Sequence, residues 1–396
     1  MNKNTFELNN YNLSILQNKG KIYSYLNSKL DKAYFKLSKG SLVFALSGGD
    51  GMVSTSLDID YDGNTMYFSV EYNKWNTALQ KFAFTDVLKF SLTKSLLKIF
   101  VDGRLDEINL GIISYEENSL VANQINSFIQ DKKNEIIPSN HALELTPEIL
   151  CNFDLVNNLF STQNRVNSIG VSNDSVMYAD RSVVVKANLT SELPAQLFEN
   201  LDEDDNHIYL HTYTLKLLAL LAEFNNKVYF DDYYEVMYWS DGATSVVIYS
   251  DSKNVSLPTA EQFEGIQPVD KEVFFDVSIK DLKDSLNFFT GFYEGSSWKP
   301  LKFTLSKGSD VMLFYKHPTA EVNKTLTGVQ ASYDGEFVVE SETLRKILTK
   351  ISERFSDDSI TVRFTYDAKD SDCDSPGVYC TVGEYYEFIV SKLLDE

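Results

Sequence analysis

One short pattern recurs six times along the chain: an apolar residue, a second two positions on, and a third seven positions on. It marks a strand that runs straight into a helix. In "FVVESETLRKIL" the three are Phe337, Val339 and Leu344. The same triplet stands at Phe6, Leu8 and Leu13, at Phe68, Val70 and Trp75, and at Leu143, Leu145 and Leu150. It returns at Ile208, Leu210 and Leu215 and at Phe275, Val277 and Leu282. The starts are spaced by 62, 75, 65, 67 and 62 residues. Each interval holds one strand, one helix and room for about three more strands at ordinary element lengths.

Those further strands are legible in "AYFKLSKGSLVFALSGGDGMVSTSLDI", "SVMYADRSVVVKANL" and "PLKFTLSKGSDVMLFYK", where apolar and polar residues alternate around Gly, Asp or Ser turns. Thr146 before Pro147 is a cap-and-first-turn signal for the third helix, and Ser341 is placed to cap the sixth. Repeats of this length exceed the solenoid periods. Taken in pairs, they give an α+β chain of three similar domains, each of two βαβββ halves. Their bounds are 1–135, 140–257 and 268–396. The joints fall in "DKKNEIIPSN" at 131–140 and "LPTAEQFEGIQP" at 257–268, polar stretches that carry Pro.

Composition excludes several classes. A hydrophobic content of 43% with 13% aromatic residues supports large cores and not disorder. Abundant Tyr, Phe, Val, Ile and Thr with sparse Pro favour sheet. No apolar run approaches membrane-spanning length, and "MNKNTFELNN" has no signal-peptide pattern, so an intracellular, cytoplasmic protein is expected. Cys151, Cys373 and Cys380 make no disulfide framework. His141, His207, His211 and His317 show no paired metal spacing, and "SGGDG" at 47–51 lacks the Lys-Ser/Thr of a phosphate loop and reads as a hairpin turn. The run "DEDD" at 202–205 reads as a solvated loop. No catalytic set, cofactor fingerprint or metal site stands out, and a non-enzymatic protein is expected.

A net charge of -21 argues against coating of nucleic acid by the whole surface. The charge is unevenly placed. The six predicted helical spans, 13–30, 74–89, 147–164, 213–226, 279–292 and 341–354, together carry +5 and leave -26 for the rest. In the last of them Lys346, Lys350 and Arg354 stand four residues apart and form one line along the helix. The third is the exception, with Glu148 and Asp154.

This organisation resembles the bacterial-type DNA sliding clamp, the beta subunit of the replicative polymerase. The resemblance spans the chain and is strongest in "FFDVSIKDLKDSLNFF", "TLTGVQASYDGEFVVESETLRKIL" and the terminal "YYEFIVSKLLDE", with "MYADRSVVV" and "IYLHTYTLKLLALL" in the middle region. It implies a head-to-tail ring, sheets outside and helices lining a channel for duplex DNA; three domains per chain imply a homodimer. The function it implies is that of a processivity factor tethering DNA polymerase, with a clamp loader as further partner, both recognised through short peptides.

The DNA-facing cations expected from the resemblance are Lys19, Lys21 and Lys29 on the first helix and Lys74, Lys81 and Lys89 on the second. Lys216, Lys280, Lys283, Arg345, Lys346, Lys350 and Arg354 follow on later ones. They would meet phosphates without reading bases. A partner-peptide pocket is expected at Tyr178, Asp180, Arg181, Val183, Pro258, Val390 and Leu394. Here the family's Gly-His-Arg reads Asp180-Arg181-Ser182, and its Phe-Pro-Asp-Tyr signature before the second joint is missing. The subunit interface is expected at Phe292 and Tyr293, in an aromatic group with Phe288 and Phe289 of which two belong to ordinary core. Divergence with the repeats kept points to a phage-encoded member. Two other readings stay open: a clamp-fold structural protein, and a monomeric processivity factor resting on DNA by one basic face.

Overall fold

The computed structural model describes residues 5–391 apart from the segments 27–31, 49–50, 84, 118, 127–140, 160–167, 180–182, 202–206, 250–256, 258–259, 266, 268–272, 294–298, 318–319, 356–358 and 367–376. All six triplets fall where a strand hands over to a helix. The first half-repeat is β1 (Thr5–Leu8), α1 (Asn10–Asn18), α2 (Gly20–Leu26), β2 (Lys32–Ser38), β3 (Ser41–Gly48) and β4 (Gly51–Asp58). The second is β5 (Met66–Glu71), α3 (Tyr72–Gln80), β6 (Leu88–Leu92), β7 (Leu96–Val101) and β8 (Glu107–Tyr115), followed by a helical segment α4 over 120–126. The third is β9 (Ala142–Glu144), α5 (Pro147–Leu159), β10 (Ser168–Val171), β11 (Ser175–Ala179) and β12 (Val183–Asn188).

The fourth half-repeat is β13 (Ile208–His211), α6 (Thr212–Ala222), β14 (Lys227–Phe230), β15 (Val236–Ser240) and β16 (Thr244–Tyr249). A short helix α7 (Ala260–Gly265) comes next, where the sequence reads as a plain linker. The fifth is β17 (Phe274–Ser278), α8 (Ile279–Thr290), β18 (Pro300–Leu305), β19 (Asp310–His317) and β20 (Ala320–Gln330). The sixth is β21 (Gly335–Glu340), α9 (Ser341–Arg354), β22 (Thr361–Thr365), β23 (Gly377–Val382) and β24 (Tyr386–Ser391).

One pairing rule governs every half-repeat. The first strand of each half joins the three later strands of its sister half: β1-β6-β7-β8 with β5-β2-β3-β4, then β9-β14-β15-β16 with β13-β10-β11-β12, then β17-β22-β23-β24 with β21-β18-β19-β20. Each half thus lends its first strand to the other. The turn chemistry repeats too. "LSKGS" closes both the β2–β3 and β18–β19 hairpins, and Gly40 and Gly308 take φ of +74° and +71° there, a backbone region open to Gly at no steric cost.

The chain divides into two compact units. Residues 1–145 and 216–251 form the first, built on one 12-stranded sheet in which β4 pairs antiparallel with β16. Residues 146–215 and 252–396 form the second, with an 8-stranded sheet in which β12 pairs antiparallel with β24, and a separate 4-stranded sheet. Residues 140–257 are thus shared between the units, because each of that region's two sheets continues into a neighbour's.

Helix ends follow local chemistry. Thr146 Oγ1 accepts from the Ile149 amide at 3.2 Å, capping α5 as its sequence implies. At α9 the cap is Glu340 and not Ser341: its carboxylate accepts from the Thr343 amide at 2.5 Å, while Ser341 is buried as the first helical residue. The second predicted helix is shorter than its charge pattern implied. It stops at Gln80, and Asp86 Oδ2 accepts from the Ala83 amide at 2.8 Å to turn the chain toward β6. Among the described residues no helix is long and apolar enough to cross a membrane.

Candidate nucleic-acid and partner interfaces

The predicted DNA-facing cations divide into those that reach solvent and those the protein keeps for itself. Lys21 on α2, Lys81 at the end of α3, and Lys216 on α6 are exposed, and Lys346 on α9 is half-buried; none has an ion pair among the described residues. Lys74 is 64% exposed beside Glu71 at 2.6 Å. Lys280 is exposed at the start of α8, and Lys283 donates to Ser352 Oγ at 2.6 Å. Lys29 lies outside the described residues.

Three expected cations are corrected. Lys19 is only 3% exposed. Its ammonium meets Asp241 and lies 3.9 Å over the Phe224 ring. Burial pushes its pKa down to about 8, so a carboxylate partner is what makes the charge tolerable there. Lys89 is on strand β6, opposite Glu7, and pairs with Glu7 at 3.0 Å and Asp102 at 2.5 Å. Arg354 is turned inward: it donates to Glu148 Oε1 at 2.8 Å, to Asn152 Oδ1 at 3.1 Å and to the Tyr386 hydroxyl at 2.7 Å.

The acids of α5 explain that inward turn. Glu148 holds Arg354, and Asp154 Oδ2 accepts from Lys350 Nζ at 3.0 Å, so the two acids that depart from the basic pattern clasp two of the bases on α9. Lys350 is held above its ordinary pKa, first by Glu353 and then by Asp154. Burial pushes the Glu148 carboxyl up, but hydrogen bonds from the Thr190 side chain and amide, with the Arg354 guanidinium, hold it below the usual range. Arg345 is likewise paired within its helix, to Glu342 at 2.6 Å. Of the line read from sequence, Lys346 is the member left for a phosphate.

Two surfaces place apolar side chains beside charged ones. In the first unit, α3 and β8 flank a shallow groove of about 360 Å3, floored by Ala78, Ile108 and Leu110 and edged by Lys74 and Lys81. In the second, Phe288 and Phe292 are 48% and 40% exposed at the end of α8, with the exposed acids Asp284 and Asp281 one and two turns before Phe288. Lys324 of β20 lies 5.1 Å over the Phe288 ring, so these aromatics border that strand. Tyr293 is corrected: it is 4% exposed and packs edge-on to Tyr315 at 4.6 Å as core. Phe289 is also core.

The described residues of the expected peptide pocket are core. Tyr178, Val183 and Val390 are buried, at 0%, 3% and 1% exposure, on the core side of the sheet. Their neighbours Met177, Ala179, Val184 and Ile389 face the other way and form a separate apolar cluster with Tyr379, Leu257 and Phe263. Asp180, Arg181, Pro258 and Leu394 lie outside the described residues. Among the described residues no group of three metal-ligating side chains comes together.

No protein-family sequence model matches the chain, and no curated protein matches it. The fold itself is nonetheless shared: the chain has the fold of the DNA sliding clamps. It superposes on Caulobacter crescentus pol III beta with a TM-score of 0.72 at 11% identity, covering 99% of this chain and 100% of that one. The DNA polymerase sliding clamp of Pseudomonas aeruginosa gives 0.71 at 11% identity over the same shares. DNA polymerase III subunit beta of Borrelia burgdorferi, solved with a natural product, gives 0.67 at 13%, again over 99% and 100%.

Proposed function

We propose that the chain is a processivity factor for DNA polymerase, a sliding clamp that closes as a head-to-tail ring of two chains around duplex DNA. The observation that carries this reading is the rule for joints between sheets. The last strand of a first half pairs with the last strand of a second half farther along: β4 with β16, and β12 with β24. The remaining members of that series are β20 and β8. β20 pairs only with β19, and the Glu107–Gly111 stretch of β8 pairs only with β7, so each leaves an edge without a ladder among the described residues, while the rest of β8 pairs with β5.

Pairing β20 of one chain with β8 of the next completes the series and removes both edges. It would seat Phe288 and Phe292 against the groove of Ala78, Ile108 and Leu110, with Asp281 and Asp284 opposite Lys74 and Lys81. The 1–135, 140–257 and 268–396 regions are then three clamp domains per chain and six per ring. Lys21, Lys81, Lys216, Lys280, Lys283 and Lys346 supply the cations that meet duplex phosphates, while the acidic remainder repels DNA from the outside.

Such a protein works by topology and carries no catalytic residue or cofactor. Its partners are duplex DNA, the polymerase and the loader, met in the cytoplasm of a bacterial or phage-infected cell. Light scattering tests the closure. A solution mass near twice the 45.0 kDa chain supports it; a mass of one chain at micromolar concentration leaves the monomeric or structural readings.

A further inference from the structure

Shape alone does not fix how β4 lies against β16. The cross-strand partners are Thr55 with Thr244, Ser54 with Ser245, Val53 with Val246 and Met52 with Val247. A slip of one residue would turn every side chain to the other face, but a slip of two keeps the faces. Moved two places in one sense, Thr55 would face Val246; moved in the other, Thr244 would face Val53. Val and Thr have nearly the same outline, so apolar packing separates these alignments poorly. What separates them is polar.

The first slip meets a steric stop. Gly51 stands opposite Ile248, where a Cβ would lie 2.5 Å from the Val247 carbonyl oxygen and 3.3 Å from Ile248 Cα, and that slip would bring Val53 to this place. Against the second stands a chain of buried hydroxyls: Tyr23 is linked to Thr55 at 2.7 Å and Thr55 to Thr244 at 3.0 Å. Tyr23 is 3% exposed and both threonines 0%. One helical turn before Tyr23 is Lys19, whose carbonyl accepts from the Tyr23 amide at 3.0 Å, so both side chains leave the same face. Lys19 meets Asp241. Asp241 Oδ1 accepts from the Ala243 and Thr244 amides at 3.2 and 2.8 Å and so shapes the turn into β16. A slip of two carries the β15–β16 hairpin about 7 Å along β4. That parts Thr244 from Thr55 and Asp241 from Lys19, and leaves buried polar groups without partners.

We propose that Tyr23, Thr55 and Thr244, with Lys19 and Asp241, are the register-determining residues of this joint: they select one alignment of β4 on β16 rather than add to stability. Hydroxyls of this kind contribute little net stability when every partner is present, because water would satisfy them equally in the unfolded chain, yet misalignment strands each of them in the core. The purpose rests on the ring reading. A closed ring has no free end to absorb an offset of two residues at one joint, so each joint must hold a single register.

Two cysteine pairs in the full chain read the alignment. Ser54→Cys/Ser245→Cys puts the thiols on cross-strand partners, within disulfide reach. Met52→Cys/Ser245→Cys puts them on a diagonal, about 7–8 Å apart, and they become partners only after the second slip. Linked peptides are identified by mass spectrometry, which distinguishes them from links through Cys151, Cys373 or Cys380. In the natural background the first pair should link and the second should not. In a chain carrying Lys19→Met, Tyr23→Phe, Thr55→Val, Asp241→Asn and Thr244→Val, linkage of the diagonal pair should rise about tenfold, with no fall in the urea midpoint. Diagonal linkage no higher than in the natural background overturns the proposal, and a lowered midpoint with that result makes these groups ordinary stabilisers. Should the five-site chain not fold, Tyr23→Phe/Thr55→Val/Thr244→Val with the same pairs decides by the same outcomes. The links form within one chain, so they report the register whether or not two chains close on DNA, and a monomer with one fixed register would keep this inference while removing the ring.

Discussion

Arg354→Met separates a structural arginine from a DNA-facing one. The substitution keeps the stem of the side chain but removes three hydrogen bonds, to Glu148, Asn152 and Tyr386. Removing one partner of a buried ion pair costs about 3–5 kcal/mol, because the other charge stays behind. Here the side chains of Arg354 and Glu148 are 17% and 20% exposed. Glu148 also keeps two bonds from Thr190, at 3.0 and 2.8 Å. Those terms reduce the expected loss to about 2–3 kcal/mol. For a unit of this size that is a fall of about 4–12 °C in Tm. Urea unfolding and a thermal scan read it directly, and the salt dependence of DNA binding should keep its slope. A loss under about 0.5 kcal/mol, with a log–log salt slope smaller by about 0.9, would show that Arg354 meets phosphate and that the inward reading is wrong.

Further outcomes follow from the same geometry. Glu148 has a lowered folded-state pKa, so its stabilisation is complete above the ordinary carboxylate pKa and disappears as pH falls through the folded value. Glu148→Gln should therefore flatten the acid limb of the stability profile, and an unchanged limb in a pH series of urea midpoints would refute the assignment. Lys216→Ala with Lys346→Ala should leave Tm within about 2 °C and reduce the salt slope by about 1.8, close to two counterions; a slope equal to wild type would take both off the DNA path. Phe292→Asp should halve the solution mass without loss of folded structure, and a variant still at the dimer mass would move the joint elsewhere.

The repeats were legible because each triplet marks a strand handing over to the first turn of a helix, and all six fall at such handovers. Which cations face outward was not. Lys19 and Arg354 look like ordinary helix-surface residues until Asp241 and Glu148 arrive from 222 and 206 positions away in sequence. Which face of the sheet each apolar residue takes was hidden for another reason. "SVVV" and "FIV" are apolar on both faces, so a period of two cannot tell Val183 from Val184 or Val390 from Ile389. The helix α7 was also unreadable, being too short for periodicity and built around a single buried aromatic. Lys89 was misplaced because a helix pattern ran past Gln80 into a turn that Asp86 makes.

Retention on DNA decides the central claim most directly. The chain would be loaded on nicked circular duplex, isolated with it by gel filtration, and measured again after a single cut of the circle. A clamp held by topology stays with the circle at a salt concentration that strips simple electrostatic binders, and leaves once ends are available. Equal loss from circle and linear DNA, or equal retention on both, would contradict the account.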